Sequence, residues 1–486
     1  GSLRRSVRQV YRPAVALALL ACSGTAYAAQ PFIDNSNPDL TVMSFYEIPY
    51  AEGVTFVRRT AQVFPDTDAG TVTGRASYQF QNASGQEQSV SFGINPGYAI
   101  SNVQANGADV PFTVSAYQEY NEALLEVTIP AEEDVELTME YSGFPQESMP
   151  TMQGGKELSD EYLCLENSAL SPRVMNVMPG DAGYPAEIEI TLPENMLAIP
   201  FGSSEAEVVA EHEDGTRTWR YEHNGAGGIL YAGDYIREDI EAGGMTIEFY
   251  YGRKHQAVME AAKAVEAVKE VVDYCTEHYG SLSFGTGETL KLIQSRVAGG
   301  GYATTGASLL DEADFTAANL GNTGKGAVPG EVFIHELVHQ WWGLGNMFDV
   351  ADETSPWSSE GLTVYTTYRI VKALYGEDYA QKHYVDQWQQ EVDDYFLNFY
   401  VRRPEYLEKL PKAERLNIAG SLSGVRHYSE MPLKILKAEQ LVGGEKAMDQ
   451  ILHDLFNREI DYTYPYLTYQ DFLDACGLTE EELDLG

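Results

Sequence analysis

The sequence predicts an α+β multidomain protein, with a β-rich N-terminal domain followed by a mainly helical C-terminal one. Three observations carry this expectation. Between about residues 43 and 252, short runs rich in β-branched and aromatic residues recur, separated by turn clusters such as Ala83-Ser-Gly85 and Glu213-Asp-Gly215. From about residue 255 the apolar pattern takes on a helical period. The length of 486 residues provides for two to four domains and an ample core.

The first 28 residues are of a different kind. Arg4, Arg5, Arg8 and Arg12 form a basic head, Pro13 to Ala21 is a short apolar run, and Ala26-Tyr27-Ala28 has the small-x-small form of a cleavage site. Residues 1–28 therefore read as a secretory signal peptide, too short for a stable membrane span. The expected location is secreted or extracytoplasmic, with no integral membrane span in the mature chain. A second reading is a lipoprotein signal, in which Leu19-Leu20-Ala21 precedes a lipidated Cys22 that anchors the chain. Residues 29–42, polar and rich in Pro and Asn, read as a linker. A β domain over 43–252 and a second domain over 253–486 follow.

The formal net charge is −41, and loss of the four leader arginines would leave 28 basic against 73 acidic residues, a net of −45. Nothing in such a chain would neutralise phosphates, which excludes nucleic acid as a partner and argues against an anionic membrane surface. The expected role of the charge is a solvated acidic surface that keeps a secreted protein soluble. Adaptation to high salt and weak calcium binding are lesser readings. Cys164, Cys275 and Cys476 are far apart and odd in number, so they form neither a disulfide framework nor a Cys-type zinc site. They read as buried free thiols.

Strand signals open with Ser44 to Tyr50, Val54 to Phe64 and Val72 to Phe80. They continue at Leu124 to Ile129, Val135 to Tyr141, Ala186 to Leu192, Thr216 to Tyr221 and Met245 to Tyr251. No long helical pattern interrupts them, which points to stacked sheets, a β-sandwich. From His255 to Tyr279 the residues Val258, Ala261, Ala262, Val265 and Val268 recur on one side of a helix that Gly280 can end. Thr289 to Gln294 is a strand, Gly299-Gly-Gly301 a glycine run, and Gly321 to Val328 a loop closed by Pro329. A helix starts there, with Gly343 placed to end it. Another runs from about Ser359 to Tyr375, with Ser358 or Ser359 as its cap. Helical patterns follow at 378–397, 429–441, 444–457 and 468–476.

The first of these late helices carries the chemistry. His335-Glu336-x-x-His339 puts two imidazoles four apart, on one face and one turn above each other. Two imidazoles so placed can take two corners of a zinc tetrahedron, and Glu336 beside them can act as base toward an activated water. A catalytic zinc needs a third protein ligand and one open position. The best-placed third ligand is Glu360, in Trp357-Ser-Ser-Glu-Gly361. Taken alone, Glu360 also reads as a solvated first-turn glutamate that complements the helix dipole.

His335-Glu-Leu-Val-His-Gln-Trp-Trp-Gly343 together with Trp357-x-x-Glu-Gly361 resembles the membrane alanyl aminopeptidase family of gluzincin metallopeptidases. The resemblance spans the coarse plan from about 40 to 476, with its specific motifs between 298 and 440. It implies an N-terminal β-sandwich or saddle-like domain and a thermolysin-like catalytic domain over 253–486. It implies one catalytic Zn2+ on His335, His339 and Glu360, with Glu336 as base and a peptide or protein as substrate. The family also uses a tyrosine ahead of a helix reading Tyr-x-x-Gly, and Tyr428-Ser-Glu-Met431 occupies that place with Met431 where the Gly belongs. Its phenol would donate to the oxyanion.

Two further departures bear on the reading. The spacing from His339 to Glu360 is two residues longer than the family's, an insertion near Asp349 to Pro356. The exopeptidase motif Gly-x-Met-Glu-Asn, whose Glu binds the substrate's amino terminus, has no counterpart. The matching stretch is Ala298-Gly-Gly300-Gly301-Tyr302-Ala303-Thr-Thr-Gly306, with Ala303 at the position of that Glu and no carboxylate from Ala298 to Leu310. The glycines still allow a peptide to approach the strand backbone. Glu166, in Tyr162-Leu-Cys-Leu-Glu-Asn-Ser168, resembles the N-domain segment that helps hold the amino group, and Asp311 and Glu312 are weaker substitutes. The implied activity is peptide-bond hydrolysis by an aminopeptidase-like exopeptidase with atypical N-terminus recognition. The alternatives are an endopeptidase or another end-specific peptidase of the same fold, and a secreted binding module with structural zinc. No fourth Cys or His at matching spacing supports the last.

Overall fold

The computed structural model describes residues 48–116, 122–146, 158–201, 204–282, 289–295, 301–304, 306–311, 331–346, 348–349 and 355–486. The expected signal peptide, the linker, Cys22, Gly300, Glu312 and the 321–328 loop lie outside the described residues.

The N-terminal half is sheet-rich. A nine-stranded sheet runs, edge to edge, through Glu207–Glu211, Thr216–Asn224, Pro185–Pro193, Val54–Asp66, Thr71–Asn82, Asp134–Gly143, Tyr98–Ala105 and Ala108–Asp109, with the short Met178–Pro179 strand beside Val54–Asp66. Neighbours along this path are antiparallel except Val54–Asp66 with Pro185–Pro193. A four-stranded sheet of Arg173–Val174, Gln88–Ile94, Ala123–Ile129 and Phe112–Ala116 faces it. One core joins the two: Val63, Ala76, Tyr78 and Met139 from the first meet Val90, Phe92, Leu125 and Val127 from the second. This is the stacked arrangement that the alternating pattern predicts. The Ser44 to Tyr50 strand is corrected in its described part, since residues 48–50 are bend and coil.

Two smaller sheets lie between this half and the helices. Leu197–Pro200, Ile229–Gly233 and Tyr162–Glu166 form one. Tyr235–Ala242, Met245–Gly252, Thr289–Ser295, Ala307–Asp311 and Gly301–Thr304 form the other, in that order. Met245–Gly252 pairs in parallel with Thr289–Ser295. Strands on either side of residue 252, where the sequence analysis divides the chain, are thus hydrogen-bonded in one sheet. Tyr162, Cys164 and Tyr231 of the smaller sheet pack on Tyr235, Tyr250, Ile293 and Leu309 of the larger.

The C-terminal half is helical: α1 Ala264–Tyr279, α2 Glu331–Val338, α3 Ser359–Tyr375, α4 Asp386–Leu397, α5 Lys412–Val425, α6 Met431–Val442, α7 Glu445–Phe456 and α8 Tyr469–Cys476. The single helix expected over 255–279 is two, because Lys263 adopts a left-handed φ of +50° between Gln256–Ala261 and α1. Gly343 does not end α2, which stops at Val338 and continues as turn to Gly343. Ser358 stands at the N-cap position of α3 with extended backbone, but its side chain makes no capping bond. Cys164 and Cys275 are buried, and Cys476 only partly. Among the described residues no helix is long and apolar enough to cross a membrane.

Candidate metal centre

Helix α2 lies against the Gly301–Thr304 and Ala307–Asp311 hairpin of the five-stranded sheet. Polar bonds fix its position. The Gly306 N–H donates to Gln340 Oε1 (3.1 Å), and the Ser308 hydroxyl donates to the Glu336 carbonyl (3.0 Å). Both bonds are buried, where an unmade one would be expensive. Gly306 has a φ of +77°, which suits a residue without Cβ at the hairpin turn.

Helix α3 brings Glu360 to this face. Its entry is held by Trp357, which donates to the Leu467 carbonyl (3.1 Å) and stacks on Tyr469 of α8 at 5.4 Å and 9°. Gly343 permits the close approach: a Cβ there would lie 3.0 Å from the Ser359 Cβ.

The result is a buried trio. His335 Nε2 is 3.0 Å from Glu360 Oε2, and His339 Nε2 is 2.9 Å from Glu360 Oε1. One ligand atom from each of the three falls within 4.8 Å of the others. Both Nε2 atoms and both Glu360 oxygens are buried and, beyond these close contacts with one another, have no hydrogen-bonded partner among the described residues. Buried polar atoms left in this state point to an ion or water that satisfies them. Two imidazole nitrogens and a carboxylate are a donor set that suits zinc and supply three of its four usual ligands.

The tautomer of His339 is set from behind. Its Nδ1 lies 2.9 Å from the Trp342 carbonyl oxygen, which can only accept, so Nδ1 carries a proton and, in the neutral ring, the lone pair falls on Nε2; against its burial, the Glu360 carboxylate favours the charged ring and pushes its pKa up to about 9. The Thr363 hydroxyl lies 3.2 Å from the same nitrogen. Burial disfavours charge at all three groups, yet their mutual attraction opposes it. For Glu360, burial raises the carboxyl pKa, but the two imidazoles outweigh it and hold the group well below its usual range. For His335, burial prevails and lowers the pKa.

Glu336 is fully buried next to the trio. Tyr428 sits in a π-turn, Arg426–Glu430, with its ring centroid 6.4 Å from that of His335 and tilted 35° to it. Ala303 pairs with Ser308 on the edge strand Gly301–Thr304, next to α2. Tyr302 pairs with Leu309 on the same strand, and Gly301 with Leu310. Asp311 ends the partner strand.

Glu166 stands outside the trio. It ends the strand Tyr162–Glu166, paired with Ile229, and is only 2% exposed. Its Oε2 has no partner among the described residues, and burial pushes its carboxyl up to about 7. Gln340, Ser308 and the Trp342 carbonyl also take part in the site, as the contacts above show. Gln340 alone carried a signal, as a polar residue directly after the second histidine.

No family model matches the chain. A stretch of 116 residues is 28% identical to Leucine aminopeptidase 2 of Emericella nidulans, covering 24% of this chain and 18% of that protein, so the chain matches less than a fifth of that relative's length. Among solved structures, yeast LTA4 hydrolase in complex with bestatin is similar with a TM-score of 0.48 and 15% identity, over 91% of this chain and 66% of that one. The M1 zinc metallopeptidase from Deinococcus radiodurans is similar with a TM-score of 0.48 and 17% identity, over 88% of this chain and 92% of that one.

Proposed function

We propose that this chain is a zinc-dependent metallopeptidase of the membrane alanyl aminopeptidase type, with a thermolysin-like catalytic domain, that acts as an exopeptidase with atypical N-terminus recognition. The observation that carries the reading is the buried trio of His335, His339 and Glu360, whose ligand atoms converge on one point beside Glu336. The short likeness to an aminopeptidase agrees with it. We further propose secretion through residues 1–28.

When bound by His335, His339 and Glu360, zinc supplies Lewis acidity toward a carbonyl oxygen and toward water. The protein's own groups do the rest. Glu336 takes a proton from the attacking water as its oxygen adds to the scissile carbonyl carbon. As the C–N bond breaks, Glu336 passes that proton to the leaving amine. The Tyr428 phenol donates a hydrogen bond to the oxyanion. The edge strand Gly301–Thr304 offers main-chain hydrogen bonds to an extended peptide. Glu166, ionised above about pH 7, attracts the substrate's ammonium group.

The test is hydrolysis of aminoacyl p-nitroanilides with and without a chelator, next to Glu336→Gln. Loss of activity in both is expected, and full activity in Glu336→Gln would remove the proposed base. Ala303 favours a second reading, an endopeptidase or another end-specific peptidase. Comparing free and N-acetylated forms of the same peptides separates the two: cleavage of both at equal rates supports the second reading and sinks the first.

A further inference from the structure

The backbone that carries Tyr428 is not an ordinary helix. Arg426–Glu430 is one π-turn between α5 and α6. Such turns are rare, and single ones inside α-helices occur frequently at functional sites. A π-turn changes which way every side chain on it faces, because residues on an α-helix keep a fixed angular step. The direction of the Tyr428 ring toward His335 thus depends on this turn being kept.

Three side-chain bonds keep it, and together they flank Tyr428. Arg426 forks onto Glu430 across the turn, Nε to Oε2 at 2.6 Å and Nη2 to Oε1 at 3.3 Å. Glu430 is only 6% exposed, so the carboxylate of this bidentate pair is shielded from water. Ser429 donates to Glu391 Oε2 on α4 (2.8 Å). His427 Nε2 lies 3.2 Å from the Ser355 carbonyl oxygen, in the segment that leads to Trp357 and Glu360. The Arg426–Glu430 pair is the one of the three that closes the turn on itself.

We propose that the Arg426–Glu430 ion pair is the device that aims the Tyr428 phenol at the reacting carbonyl, which makes Arg426 and Glu430 positioning residues. This rests on Tyr428 being the oxyanion donor. In this reading the pair acts through Tyr428, which lies between the two residues on the turn that they bridge.

A double-mutant cycle on zinc-loaded protein tests this, with an aminoacyl p-nitroanilide as substrate and metal content measured for each variant. Tyr428→Phe is expected to lower kcat by about 100-fold, the usual scale for losing one oxyanion donor. Glu430→Gln should lower kcat about tenfold with KM within about twofold and metal content unchanged, the pattern of an interaction made only in the transition state. In the Tyr428→Phe background Glu430→Gln should cost less than about twofold, because the group it aims is already gone. If Glu430→Gln fails to fold, Arg426→Lys, which keeps the charge and loses the fork, enters the same cycle with the same expectation. Losses that multiply in the double variant, or wild-type kcat in Glu430→Gln, overturn the positioning role and leave Tyr428 as donor. Wild-type kcat in Tyr428→Phe overturns the reading of Tyr428 itself, and the positioning role with it.

Discussion

Met431 is seated directly on the backbone of Gly361: a methyl group at 361 would fall 2.5 Å from the Met431 Cγ and 2.8 Å from its Cβ. Both residues are buried. The contact ties the first turn of α3, which holds Glu360, to the first residue of α6, which follows the Tyr428 turn. Bulk at 431, where the family resemblance calls for glycine, is accommodated because residue 361 has no side chain.

Gly361→Ala should therefore act on both sides of the site at once. Gly361 is not in the left-handed region, so the effect is steric. Overpacking of this kind costs about 1–3 kcal/mol of stability. We expect a lower unfolding midpoint and a kcat reduced by about tenfold or more, since small displacements of reacting groups are costly. Adding Met431→Gly to Gly361→Ala removes the clashing atoms and should restore part of both losses. No recovery in the double variant would show that the contact with Met431 is not the cause.

The sequence made the trio legible because its chemistry is local: His335 and His339 share one helix face, and Trp357 and Gly361 bracket Glu360. Strands with an alternating pattern, such as Thr71–Asn82, were legible for the same reason. Tyr162–Glu166 was not readable as a strand by alternation, because all five of its residues are buried. The break at Lys263 was hidden because lysine carries no turn signal, although it adopts a left-handed φ of +50°. The π-turn at Tyr428 has no periodic signature over five residues. Gln340 reads as a surface glutamine until the Gly306 N–H is seen to end on it.

Glu166→Gln should change stability in a pH-dependent way. The carboxyl has an ordinary pKa of 4.5 when unfolded and is pushed up to about 7 by burial in the folded chain. Between these values the folded state binds more protons, so this group's contribution is full below about 4.5 and is lost as pH rises through about 7. The loss is on the order of 3 kcal/mol. The variant has no such titration. Its stability relative to wild type should rise between pH 5 and pH 8, measured by urea unfolding of the zinc-loaded proteins. The same variant should raise KM for free aminoacyl substrates by about tenfold or more, since it removes the only ionised group proposed to meet the ammonium. A KM that stays at the wild-type value would place the amino-group anchor elsewhere.

Gln340→Leu keeps the volume at that position and removes the acceptor for the Gly306 N–H. A buried donor left without a partner costs about 1–3 kcal/mol. The hairpin carrying the edge strand Gly301–Thr304 then loses one of its ties to α2. Unfolding in urea should reveal the stability loss. The kinetic signature should be a KM for longer peptides that rises more than kcat falls, because the edge strand is proposed to bind the peptide backbone. A fall in kcat alone would instead indicate that Glu336 had moved.

Removing the metal should destabilise the fold, independently of any effect on activity. Without an ion, the two Nε2 atoms and the Glu360 carboxylate are buried with only one another as neighbours for hydrogen bonding, and a metal held by all three, zinc in the proposed reading, would satisfy them together. A ligand that binds only the folded state stabilises it by about 2.7 kcal/mol when present at 100 times its dissociation constant. A chelator should thus lower the thermal unfolding midpoint, and added zinc should restore it. His339→Ala removes one of three ligands and should abolish the response to both. Glu336→Gln keeps all three ligands, so it should respond to chelator and zinc as the wild type does while remaining inactive. An unfolding midpoint that ignores chelator in the wild type would mean that these buried atoms are satisfied by something other than a metal.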